Sequence, residues 1–152
     1  MHLVTYLGFL QHAEQTLGRS YRLVSDGHAA DDDVHYATAQ FARQCTAHAD
    51  ALAPVLARMG PQQEQEPERL HVQEPSGHRA GPLGLLRDLQ DLYQLANLVD
   101  ITWTLVSQAG QGARDRELLH VVDRCAPQTT TQLAWLRMRM GAAAPQTLLV
   151  AT

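Results

Sequence analysis

Apolar residues recur at alternating steps of three and four along most of the chain. That period constrains it to amphipathic α-helices more than any other feature does. Leu3, Leu7, Leu10, Leu17, Tyr21 and Val24 make a first seam, closed by Asp26 and a capping Gly27. Asp31, Asp32 and Asp33 open a second helix and place carboxylates at the positive end of its dipole. Its seam is Val34, Phe41, Cys45, His48, Leu52, Val55 and Met59. Pro54 predicts a kink one turn earlier, and Gly60-Pro61 a stop. A third helix is expected from about Pro82, with Leu85, Leu89, Leu92, Ala96, Val99, Trp103 and Val106 as its seam and Gly110 to Gly112 as its break. A fourth, from about Arg114, carries Leu118, Val121 or Val122, Cys125, Thr129, Gln132, Leu136 and Met140. Pro127 and the run Thr129 to Thr131 predict a kinked or weakened middle for it.

Residues 60–82 read differently. Gln, Glu, Pro and Gly dominate, apolar residues are few, and the segment predicts an irregular connection. Some 23 residues reach roughly 75 Å when extended. A 25-residue helix is only about 38 Å long. The expected fold is therefore all-α: one domain over 1–152, an antiparallel four-helix bundle of two hairpins joined by a long crossover at 60–82. Residues 142–152 form a tail whose Leu148, Leu149 and Val150 are expected to dock on the bundle or on a partner.

Composition narrows the function classes. The net charge of −4 disfavours nucleic acid, which needs clustered cations. Every basic side chain is Arg, so Schiff-base chemistry on lysine is excluded. Cys45 and Cys125 are too few and too far apart for a disulfide scaffold. Neither a signal segment nor a membrane-length apolar run is legible, and the expected location is the cytoplasm.

Glu14 stands where the first seam calls for an apolar residue, and an unpaired carboxylate in a dry core is costly. His48 holds a matching position on helix two, with Cys45 one turn before it. Glu, Cys and His projecting inward suit a transition metal. A core Glu hydrogen-bonded to a core His, with no metal, satisfies the same pattern. Trp103 and Trp135 are expected in the core or at an interface. Asp88, Asp91 and Asp100 read as a solvated stripe near Arg87.

Glu14-x6-Tyr21 on helix one and Cys45-x-x-His48 on helix two resemble the ferritin and rubrerythrin superfamily, as does the single long crossover. The resemblance implies a di-iron bundle in which each half supplies a Glu and a Glu-x-x-His. Here Cys45 replaces one Glu, Ala96 another, and helix four offers Thr129-x-x-Gln132 or Cys125-x-x-Gln128. The expectation is a ferritin-like bundle that has lost di-iron catalysis and acts by binding as a homodimer, with a small-molecule or protein partner. The alternative is a metal-dependent oxidoreductase with one transition-metal ion on Glu14, Cys45 and His48, and Tyr21 beside them. A small-molecule pocket at the bundle centre, around Glu14, His48 and Gln132, is a third possibility.

Overall fold

A computed structural model describes residues 2–60 and 77–150. It contains four helices, α1 (His2–Gly27), α2 (Asp32–Met59), α3 (Gly81–Ala113) and α4 (Arg116–Pro145), then a π-helical turn, Gln146–Val150. No strand occurs among the described residues. Most of the predicted connection, residues 61–76, lies outside them.

The seams read from the sequence are the buried faces. Leu7, Leu10, Leu17 and Tyr21 of α1 are fully enclosed, as are Val34, Cys45, Leu52 and Val55 of α2. Leu89, Ala96 and Val99 of α3 and Leu118 and Leu136 of α4 complete a single core. α1 packs against α2 and α3, and α4 packs against α3 and α2. Polar pairs mark the registers. Gln11 donates to the Ala49 carbonyl at 3.0 Å, and the Ser25 hydroxyl to that of His35 at 2.7 Å. Between α2 and α4, Arg139 donates to Asp33 at 2.6 Å and Arg58 to Asp115 at 2.7 Å.

Two boundary expectations are corrected. Gly110 and Gly112 do not break α3, which runs to Ala113. A Cβ on Gly110 would lie 3.2 Å from a Leu119 methyl and 3.3 Å from a Leu118 methyl. The glycine thus serves close approach to the next helix, and that packing outweighs its roughly 1 kcal/mol helix cost. Arg114 makes the turn instead, in the left-handed region with φ 53°. The fourth helix starts at Arg116, because Asp115 caps it by accepting the Leu118 N–H at 3.1 Å.

Pro127 and the threonines do not interrupt α4, which is helical through Pro145. The Thr130 and Thr131 hydroxyls bond back to the carbonyls of Ala126 and Pro127, at 3.4 and 3.1 Å. That back-bonding keeps hydroxyls compatible with a helix. Pro54 likewise lies within a continuous α2. The expected tail is also helical and its last turn touches α3, while the side chains of Leu148, Leu149 and Val150 are exposed. No helix among the described residues is long and apolar enough to cross a membrane.

A closed polar layer in the core

The 3.6-residue period that buries Leu10 and Leu17 also turns Glu14 inward, and the same geometry on α2 turns in Cys45 and His48. Glu14 is 0 % exposed and His48 2 %. Burial at that depth demands partners, and both residues find them. His48 Nδ1–H donates to Glu14 Oε2 at 2.5 Å, and the Trp103 indole N–H donates to the same oxygen at 3.2 Å. On its far side His48 Nε2 meets Gln128 Oε1 at 2.7 Å. A second chain of bonds lies beside the first. The Tyr21 hydroxyl donates to Gln132 Oε1 at 3.0 Å, and Gln132 Nε2 donates to Gln44 Oε1 at 3.0 Å.

The electrostatics follow from these contacts. Both nitrogens of His48 face oxygen acceptors, an arrangement that the doubly protonated ring satisfies. Burial opposes that charge, but the Glu14 hydrogen bond and charge, helped by Gln128, outweigh it and raise the His48 pKa. Burial pushes the Cys45 thiol well up, and the Glu14 carboxylate adds to the effect. Burial also pushes up Tyr21, again with Cys45 and Glu14 contributing. Cys125 is raised to about 11, first by burial and then by Glu14. The layer therefore presents thiols and a phenol, not thiolates and a phenolate.

Glu14 and His48 come together as the sequence suggested, and Cys45 is buried in the layer. The set does not fit a metal as arranged. Among the described residues, no three His, Cys, Asp or Glu side chains stand where they could hold an ion. His48 has no free lone pair when both ring nitrogens donate, and the Cys45 thiol holds its proton. One carboxylate oxygen is unspent: Glu14 Oε1 is buried without a hydrogen-bond partner, as is the Thr129 hydroxyl. Ala96 is enclosed at the helix-three position, and Asp100 sits half-buried at the edge.

Sequence reasoning missed three partnerships in the layer: Trp103 with Glu14, Gln128 with His48, and Gln44 with Gln132. Trp103 is 1 % exposed and donates to Glu14, so it belongs to the core and not to an interface. Gln128 follows Pro127 on the outward part of α4, and only the packing of α4 on α2 brings its amide to His48. Trp135 is partly buried and packs edge-on against Phe41, with ring centroids 5.7 Å apart.

A second polar cluster was misread. Asp88 is 3 % exposed, not solvated, and its partners are not Arg87. His28 Nε2–H donates to Asp88 Oδ2 at 2.8 Å, and the Arg79 backbone N–H donates to the same oxygen at 2.8 Å. Arg79 Nη1 bridges Asp88 Oδ1 and Asp91 at 2.9 and 2.8 Å. His78 stacks edge-on against His28, with centroids 5.7 Å apart. Gly27 makes room for it, since a Cβ there would lie 2.3 Å from the His78 ring. His28 borders a cleft of about 460 Å³ that also includes Asp31, Leu85, Arg139, Ala143 and Thr147. This cleft lies at the α1–α2 turn, away from Glu14, His48 and Gln132. Comparison of the chain with protein-family models, curated proteins and solved structures gave no match.

Proposed function

We propose that the chain is a ferritin-like helical bundle in layout whose interior has become a metal-free hydrogen-bonded lock, and that it acts by binding. The paired contacts support an antiparallel arrangement with a long crossover. Residue numbers rise on α1 as they fall on its partners: Gln11 meets Ala49 and Ser25 meets His35, while Glu14 meets Trp103 and His28 meets Asp88. α4 runs against α2 in the same way, from Arg58–Asp115 to Asp33–Arg139. α2 then ends beside Asp115, while α3 begins near Gly27, and ends so far apart support a long crossover.

The loss of di-iron chemistry rests on one observation: both ring nitrogens of His48 are engaged by side-chain oxygens. A nitrogen that donates a proton has no lone pair for a metal. Glu14 Oε1, buried and unpartnered, is the one feature on the side of a metal-dependent oxidoreductase with Glu14, Cys45 and His48 as ligands. Elemental analysis of the native protein, with titration of Fe(II), Mn(II), Zn(II) and Cu(II), decides between them. The expected result is no stoichiometric metal and no change on Glu14→Ala or His48→Ala beyond stability. Two metals per chain would overturn the proposal. One metal lost on either substitution, with helix content kept, would establish the oxidoreductase site.

Homodimerisation belongs to the same proposal, and α3 is the face that supports it. Ile101 and Leu105, one helical turn apart, are 49 % and 50 % exposed, and half-buried Leu98 continues their stripe. The expected result for Ile101→Glu combined with Leu105→Glu is a monomer by light scattering, with an unchanged helical spectrum. A wild-type protein already monomeric at high concentration would remove this part.

A further inference from the structure

The cleft at the α1–α2 turn combines three features that the interior layer does not explain. The first is a held histidine. Asp88 receives the His28 Nε2–H and is itself fixed by the Arg79 backbone and side chain, so the ring cannot turn without breaking a buried bond. A carboxylate behind an imidazole fixes the ring and places a proton on Nε2, so that Nδ1 is the acceptor in the ring's neutral form. That nitrogen has no hydrogen-bond partner among the described residues and is not among the sealed, unpartnered atoms. The ring borders the cleft.

The second feature is an uncommitted carboxylate. Asp31 stands at the N-cap of α2 yet makes no side-chain cap bond, and it has no ion pair among the described residues. The third is the balance of charge. Of the two charged side chains that line the cleft, Arg139 is already paired with Asp33, which leaves Asp31 as the carboxylate without an ion pair among the described residues. An unpaired carboxylate beside a ring nitrogen that can accept suits a cation that donates hydrogen bonds. Leu85, Pro82 and Ala143 give the cleft apolar walls, and its volume of about 460 Å³ accommodates a small organic body.

We infer that this cleft binds a small organic amine, its ammonium group donating to Asp31 and to His28 Nδ1 and its alkyl part against Leu85 and Ala143. The inference does not depend on the interior Glu14–His48 layer, and its failure would leave that reading untouched.

The test is titration of the full chain with butylammonium chloride and, in parallel, sodium butyrate at matched ionic strength. The readout is the His28 ring resonances in long-range ¹H–¹⁵N spectra. The expected result is a saturable shift with butylammonium, little or none with butyrate, and binding weakened about fivefold by Asp31→Asn, the size of one partly exposed charge contact. Asparagine keeps the N-cap preference, so the variant folds. His28→Gln, followed by the shift of the Thr147 amide, should weaken binding further. Saturation by butyrate instead, no saturable shift with either probe, or unchanged affinity in Asp31→Asn would each overturn the proposal.

Discussion

Substitution of His48 by Ala should cost the fold about 3–5 kcal/mol in urea unfolding, because it strands Glu14 as an unpaired carboxylate in a dry core. The Trp103 N–H and the Cys45 thiol would then remain to it, neither of them a charge. The loss should depend on pH in a defined direction. The folded pKa of His48 is raised, so the stability gained by its protonation is fully present below its unfolded value, about pH 6.5. It declines as pH rises through the folded value. Unfolding of wild type and His48→Ala between pH 5.5 and 9 should show the widest gap at the acid end and a narrower one at the alkaline end. A gap below about 1 kcal/mol throughout, the range of an exposed pair, would remove the buried ion pair from the account.

Trp103→Ala should cost a similar amount, about 3–5 kcal/mol, from the cavity left by a large enclosed side chain. Trp103→Phe separates the contributions: it keeps most of the bulk and loses only the N–H donated to Glu14. Its expected cost is about 1.5–3 kcal/mol, that of a hydrogen bond to a charged group. The pair of variants also tests where the residue sits. An interface residue would, on substitution, change the oligomeric state and spare the stability of the monomer. A core residue does the reverse, and a melt unchanged in Trp103→Ala would contradict its placement.

These two variants address the part of the site that was half legible. Glu14 and His48 could be read because a polar residue in a regular apolar period has no neutral explanation; it must have a partner inside. Their partners could not all be read. Trp103 obeys the α3 period as a hydrophobe does, and the seam says nothing of where its N–H points. Gln128 lies off the α4 seam, and only the register of α4 on α2 delivers it to His48. Asp88 was misread for a related reason. Next to the seam positions Leu85, Leu89 and Leu92 it looks like the start of a solvated stripe. The chain before Gly81 folds Arg79 back onto it, and α1 brings His28 from sixty residues away.

Local pattern by itself determined that the chain is helical, which faces are buried, and that one acid and one histidine go inside, because side-chain direction follows from the 3.6-residue turn alone. It did not determine where helices end when packing opposes propensity: Gly110 stays helical because Leu118 and Leu119 close over it, and the tail stays helical through Pro145. Nor could it determine which polar atoms meet. Whether Glu14, Cys45 and His48 hold an ion or satisfy one another depends on ångström-scale distances between different helices, and those are set only when the four seams are pressed into one core.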